Sequence, residues 1–216
     1  MKTALLIDLD GTLVDSVPDL QAALNQMLAE IGRPALDREA VTGMVGDGTA
    51  RLVERGLTAT GEPIDLDAPL ARFTDLYEAN ASRLTLPYPG VREVLIRLRD
   101  EGRSLAVVTN KPGRATREVL EGVGLAEFFP VVVSGDTLPV KKPDPAPLLF
   151  AVTRLGRTLG DAVMIGDHRN DLLSAAAAGI PAIFARYGYE RQMKEAVDPL
   201  LGIDSFDQIP GVLARL

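Results

Sequence analysis

The chain has 216 residues, 30 acidic against 23 basic side chains, a net charge of −7 and no cysteine. That length can bury a substantial core, and ordinary apolar and charged fractions exclude a disordered or fibrous chain. The acidic balance argues against nucleic acid as a partner, and the lack of cysteine excludes disulfides, thiolate zinc sites and a thiol nucleophile.

The chain enters a strand at once, with no basic segment leading into an apolar one. No apolar run reaches membrane-spanning length, so a soluble, cytoplasmic protein without a membrane partner is expected. Ala4 to Ile7 read as a buried strand, since a continuous apolar run suits a parallel strand covered on both faces. The run stops at Asp8-Leu9-Asp10-Gly11, where glycine lets the backbone curl. Alone, this D-x-D-G fits a plain turn or a calcium-loop fragment as well as a catalytic site.

Ser16 and Pro18 open a helix, with Ser16 or Asp19 as the expected cap. Leu20, Ala23, Leu24, Met27, Leu28 and Ile31 follow at helical spacing until Gly32 and Pro34 stop it. Asp37 can cap a short helix to Thr42. Gly43 to Gly48 form a glycine-rich loop into a helix carrying Leu52, Val53 and Leu57. After a polar turn from Gly61 to Asp67, Leu70, Phe73, Tyr77, Ala81 and Leu84 make another amphipathic stripe. From Ser16 to Leu86 the pattern predicts helices and no strand.

The period changes after Pro87-Tyr88-Pro89-Gly90. Val91, Val94, Leu95 and Leu98 predict a helix, Leu105 to Val108 a strand, and Thr116, Val119, Leu120 and Val123 a helix ended by Gly124. A strand at Phe129 to Val133, a helix at Pro147 to Leu155, a strand at Val163 to Ile165 and a helix at Leu172 to Ala178 follow. Ala182 to Phe184 read as the last clear strand. Alternating strands and helices imply an α/β fold: a Rossmann-like three-layer core with a mostly parallel sheet. Residues 1–15 and 87–216 would form that core, and residues 16–86 an α-helical cap inserted after the first strand.

Polar groups recur at three more strand ends: Thr109-Asn110-Lys111, Lys141-Lys142-Pro143-Asp144-Pro145, and Gly166-Asp167 through Asp171. In a parallel sheet these ends share one edge, which brings Asp8, Asp10, Thr109, Asn110, Lys142, Asp167 and Asp171 together. Singly, Thr109 reads as a turn hydroxyl, Lys142 as a solvated lysine, and Asp167 with Asp171 as a helix N-terminus. Their coincidence at four strand ends favours a site. Four carboxylates in one crevice repel unless something positive compensates, and oxygen-only ligands suit a hard cation, Mg²⁺ first. With Lys142, a hydroxyl and an amide added, the crevice suits a phosphoryl group.

In these four stretches, Asp8-Leu9-Asp10-Gly11-Thr12, Thr109-Asn110, Lys142-Pro143 and Gly166-Asp167 to Asp171, the sequence resembles the haloacid dehalogenase superfamily of phosphatases. Gly46-Asp47-Gly48 with Arg55-Gly56-Leu57, Pro87 to Val91, and Thr109 to Pro112 resemble its bacterial branch acting on 2-phosphoglycolate. The resemblance implies that Asp8 attacks phosphorus and carries a phospho-aspartyl intermediate, and that Asp10 is the general acid and base. It implies Mg²⁺ held by Asp8, the Asp10 carbonyl and Asp167, with Asp171 direct or one shell out. Thr109 and the Asn110 N–H would grip phosphate oxygens, and Lys142 would offset charge. Crowding by Asp8, Asp167 and Asp171 is expected to bear on Asp10.

Gly46, Arg51 and Arg55 are the expected substrate-binding residues of the cap. Two positions depart from the family pattern. His168, the single histidine, replaces a small Ser or Thr and is expected in an exposed loop. Asp47, where relatives often have Asn, would bring negative charge near an anionic substrate. The expected partner is a small phosphorylated metabolite, with 2-phosphoglycolate first, and the cap stripe fits either a monomer or a homodimer. The alternatives are a phosphosugar mutase, a pyrophosphatase, or a non-catalytic phospho-accepting signalling module. Receiver modules, however, lack the helical insertion and carry their acceptor on a later strand.

Overall fold

The computed structural model describes residues 3–190 and 201–216. All four apolar residues of β1 (Ala4–Ile7) are fully buried. Leu5 and Ile7 belong to one hydrophobic cluster, while Ala4 and Leu6 belong to another, as the alternation of side chains in a strand requires.

After β1 the chain forms a two-residue strand, β2 (Val14–Asp15), and then four helices: α1 (Val17–Glu30), α2 (Arg38–Thr42), α3 (Thr49–Thr60) and α4 (Asp67–Glu78). The apolar stripe of α1 (Leu20, Ala23, Leu24, Met27, Leu28) is buried with Leu52, Val53 and Leu57 of α3 and Phe73 and Tyr77 of α4. Asp37 caps α2 as its position predicts, accepting from the Ala40 N–H at 2.8 Å. Neither expected cap of α1 makes a side-chain cap bond. Asp19 instead accepts from the N–H groups of Leu84 and Thr85, the latter at 2.7 Å, and from the Thr85 hydroxyl at 2.7 Å. It pins the return strand rather than its own helix.

That return strand corrects the expectation of helices alone up to Leu86. β3 (Leu86–Pro87) pairs antiparallel with β2, Val14 opposite Pro87 and Asp15 opposite Leu86. Two residues are too few to show alternation, and the ribbon forms because the two passages between the helices and the sheet run side by side.

The remaining elements are α5 (Val91–Asp100), β4 (Ser104–Val108), α6 (Gly113–Gly122), β5 (Val131–Val133), α7 (Ala146–Arg154), β6 (Ala162–Gly166), α8 (Arg169–Ala178), β7 (Ala182–Ala185), β8 (Leu201–Ile203) and α9 (Ile209–Leu213). Six strands form a parallel sheet in the order β5-β4-β1-β6-β7-β8. This is the doubly wound arrangement, whose order reverses at β1 and leaves a crevice at the strands' carboxyl ends. Buried side chains of α5, α6 and α9 cover one face with the helical insert, while α7 and α8 cover the other. The chain thus has three layers, as the strand–helix alternation predicts. Two details differ. Phe129 lies outside β5, after a 3-10 turn at Ala126–Phe128, and the sheet continues past Phe184 to a sixth strand, β8. Leu-Gly-Ile is too short and glycine-broken to announce itself. Among the described residues no helix is long and apolar enough to cross a membrane.

Candidate active site

Asp8 follows β1, Thr109 follows β4, and Asp167 follows β6, so three neighbouring strands deliver these side chains to one edge. Residues Asp8, Asp10, Thr109, Asn110, Lys111, Asp167 and His168 line a crevice there, closed by Leu20, Val45, Gly46, Leu52 and Tyr77 of the insert.

Asp8, Asp167 and Asp171 are buried, and one oxygen of each lies within 4.8 Å of the others. Lys142 stands behind them, 3% exposed, which rules out the reading of a solvated lysine. Its ammonium donates to Asp171 Oδ1 at 2.5 Å and to the Val108 carbonyl at 2.6 Å, and lies 3.0 Å from Asp8 Oδ1. Both oxygens of Asp171 are occupied, since Oδ2 accepts from the His168 N–H at 3.0 Å. Asp167 accepts from the Thr12 hydroxyl at 2.8 Å and from the Tyr189 N–H at 2.7 Å. Gly11, at φ +82°, turns the chain so close to Asp167 that an added Cβ would lie 2.2 Å from a carboxylate oxygen. No side chain larger than glycine fits this acidic turn.

Burial pushes the Asp8 carboxyl up to about 6, with Asp171 and Asp10 adding to the rise and Lys142 opposing it. Burial, then Asp8 and Asp171, also drive the Asp167 carboxyl well above the ordinary range. Asp8 Oδ1 is buried and, apart from the ion pair with Lys142 at 3.0 Å, accepts no hydrogen bond from the described residues. Three buried carboxylates offset by a single ammonium are a donor set that fits a hard divalent cation, which would restore the ionised forms.

Asp10 meets a different neighbour from the one expected. Lys111 Nζ lies 3.1 Å from both Asp10 oxygens and 2.5 Å from the Tyr77 hydroxyl of α4. Burial pulls the Lys111 ammonium's pKa down, but Asp10 and Tyr77 outweigh that and hold it above its ordinary value. The sequence shows Lys111 only as part of the Thr109-Asn110-Lys111 strand end and assigns it no partner. The available signal is its place two residues beyond a strand-end threonine, on the side where Asp10 must turn. Tyr189 carries no mark in the sequence, and Thr12 stands in the first motif without a role of its own.

The insert is bonded to the sheet edge through the loop at Gly46. Asn110 Nδ2 donates to the Gly46 carbonyl at 3.1 Å and to the Lys142 carbonyl at 2.9 Å. Asn170 Nδ2 donates to Asp47 Oδ1 at 2.8 Å, and Lys141 Nζ to the Asp47 carbonyl at 2.7 Å. Asp47 therefore does not hang over the crevice as an unpaired charge. Burial raises its carboxyl pKa, but the Asn170 amide and the Arg55 guanidinium outweigh it and hold that carboxyl below its usual range. Arg55 is spent on Asp47 and the Met44 carbonyl, and the exposed Arg51 on Glu54. Neither lines the crevice, whereas Gly46 does.

His168 corrects the expectation of an exposed loop residue. It lines the crevice, its side chain is 12% exposed, and it caps α8 by accepting from the Asn170 N–H at 3.2 Å. The ring fills the space against Gly46, where an added Cβ would lie 2.5 Å from it.

Residues 5–185 match the family described as haloacid dehalogenase-like hydrolase. The chain is 44% identical over 205 residues to a phosphoglycolate phosphatase of Pseudomonas putida, covering 92% of this chain and 75% of that protein. It is 42% identical over 206 residues to a phosphoglycolate phosphatase of Caulobacter vibrioides, covering 94% and 87%. Among solved structures, that of a predicted phosphoglycolate phosphatase from Haemophilus somnus aligns with a TM-score of 0.92 at 29% identity, covering 98% of this chain and 97% of the other.

Proposed function

The chain belongs to the haloacid dehalogenase-like hydrolases, and from that premise we propose that it is a Mg²⁺-dependent phosphatase that hydrolyses 2-phosphoglycolate to glycolate and phosphate. The observation that carries this reading is the meeting of Asp8, Asp10, Thr109 and Asp167 in one crevice, with Lys142 and Asp171 buried behind them. The two relatives at 44% and 42% identity, both phosphoglycolate phosphatases, support the substrate.

In this reading Asp8 attacks phosphorus in line and forms a phospho-aspartate, which splits one difficult displacement into two. Asp10 gives a proton to the departing alkoxide oxygen, then takes one from the water that hydrolyses the phospho-aspartate. The Thr109 hydroxyl and the Asn110 backbone N–H hold the phosphate oxygens. Lys142 offsets the negative charge gathering on Asp8 and the transferring group. Asp8, Asp167 and the Asp10 carbonyl would hold Mg²⁺, which when bound supplies positive charge against the phosphoryl oxygens. Asp171 is bonded to the Lys142 ammonium and, unlike Asp167, does not line the crevice, which supports a role one shell out, orienting Lys142. Residues 16–86 act as the cap that closes the crevice over the substrate, and residues 1–15 with 87–216 as the catalytic core.

The test is a comparison of kcat/KM across 2-phosphoglycolate, hexose phosphates, nucleotides and pyrophosphate. The reading expects 2-phosphoglycolate to lead and free phosphate to appear. Isomerised sugar phosphate without phosphate release would replace it with a mutase.

A further inference from the structure

A substrate with a second anionic group needs a cation beyond the phosphate, and both arginines expected to supply it are committed elsewhere. Arg55 bonds Asp47 and Arg51 bonds Glu54, outside the crevice. Among the described residues that line the crevice, Lys111 carries the only ammonium or guanidinium. Its position is built rather than incidental. The residue is 5% exposed, and its Nζ is held 3.1 Å from both Asp10 oxygens, 2.5 Å from the Tyr77 hydroxyl and 4.6 Å from the centre of the Tyr77 ring. Lys111 follows β4 and Tyr77 belongs to α4, so the insert and the sheet edge both contribute.

We propose that Lys111, oriented by Tyr77, selects substrates bearing a carboxylate one carbon beyond the phosphate ester. The assignment rests on the phosphatase reading above. If Asp10 protonates the ester oxygen, that oxygen lies within hydrogen-bond reach of the Asp10 carboxyl. Lys111 Nζ is 3.1 Å from the same carboxyl. A carboxylate attached one carbon past the ester oxygen therefore falls within reach of the ammonium. An ammonium has three donors, so one of the two directed at Asp10 can turn to the substrate while the ion pair persists. Leu20, Val45 and Leu52 also line the crevice, and they offer a further anion no charge partner. The site thus reads charge at a fixed short distance, and a neutral ester forgoes the hydrogen bond that the carboxylate would take from Lys111.

The decisive quantity is the ratio of kcat/KM for 2-phosphoglycolate to that for ethyl phosphate, its neutral counterpart. The wild-type ratio is expected on the order of 10- to 100-fold, the usual worth of a hydrogen bond to a charged group. Lys111→Met should bring it close to one, Lys111→Arg should retain most of it, and Tyr77→Phe should lower it several-fold. Two results overturn the assignment. One is a wild-type enzyme that hydrolyses both esters equally well, which needs no variant to fold. The other is a Lys111→Met enzyme in which both activities fall by the same factor, which reduces Lys111 to a support for Asp10. An enzyme releasing no phosphate from either ester, nor from para-nitrophenyl phosphate, sinks the phosphatase reading and this assignment with it.

Discussion

Lys142 donates a 2.5 Å hydrogen bond to Asp171 while standing 3.0 Å from Asp8, so one buried ammonium serves two buried carboxylates. Removing it leaves both acids in low dielectric with no opposite charge. Lys142→Met is therefore expected to destabilise the metal-free protein by roughly 3–5 kcal/mol, the usual cost of breaking a buried pair. Asp171→Asn keeps the shape and loses only charge, and should lower kcat/KM by about 10- to 100-fold, as loss of an orienting partner does. Because the two residues share one bond, the double variant should lose less than the sum of the singles. Urea unfolding and initial rates on the four proteins check this, and strict additivity would separate the pair.

Asp8→Asn is expected to abolish phosphate release from para-nitrophenyl phosphate with Mg²⁺, and EDTA to do the same to the wild type. Asp10→Asn should slow turnover while leaving Mg²⁺ affinity largely intact, because the side chain of Asp10 faces Lys111 rather than the acidic cluster. Full activity in Asp8→Asn would remove it as nucleophile. Collapse of Mg²⁺ binding in Asp10→Asn, measured by calorimetry, would move Asp10 from proton transfer to metal binding.

The elevated acids make stability depend on pH in a direction opposite to that of most salt-bridged carboxylates. The Asp8 pKa rises from 3.8 to about 6, so the folded state holds this proton more tightly than the unfolded chain does. That contribution is fully present below 3.8 and is lost as pH rises through about 6, costing about 3 kcal/mol for the one group. Asp167 acts in the same sense. His168 opposes them, since burial lowers its pKa and folding then gains as pH approaches 6.5. In EDTA, the melting temperature should fall between pH 4.5 and about 7, and Asp8→Asn should flatten the slope. Mg²⁺ should stabilise more at pH 7.5 than at pH 5.5, because its ligands must lose their protons to bind. A flat wild-type profile would mean that the cluster is not held as acids.

Much of this site was legible because β1, β4 and β6 are apolar runs that end abruptly in polar groups, and a parallel sheet converts strand ends into one edge. Asp8, Thr109 and Asp167 follow from that rule, whereas Lys142 lies well beyond the end of β5 and is marked only by the Lys-Pro stretch that accompanies the other three. What could not be read was pairing across long sequence separations. Lys111 reaches Asp10 and Tyr77, and Asp19 reaches Thr85, through contacts that no local pattern encodes. Arg55 looked like a free cation because its acid, Asp47, looked like a free anion; each is the other's partner. β8 stayed hidden because three residues around a glycine carry no periodicity, and its place is fixed by β7.

Gly46 offers a test of the loop that closes the crevice. Its φ is +118°, and a Cβ there would lie 2.5 Å from the His168 ring, which also caps α8. Gly46→Ala must therefore strain the backbone, at roughly 1–2 kcal/mol, and push the loop off the histidine. The Gly46 carbonyl would move with it, away from the Asn110 amide that now donates to it at 3.1 Å. Asn110 also bonds the Lys142 carbonyl, so the disturbance reaches the phosphate end of the crevice as well as its roof. A displacement near 1 Å at reacting groups costs about 100-fold in rate, and kcat/KM should fall by that order. The loop contributes few buried apolar contacts, so the melting temperature should drop by only a few degrees. Replacing His168 by a smaller side chain in the same protein should return part of the activity, since it removes the atoms the new methyl meets. If Gly46→Ala remains fully active, the loop is not the roof of the site. If His168→Ser gives no rescue in the double variant, the lost activity comes from the backbone strain and not from the ring.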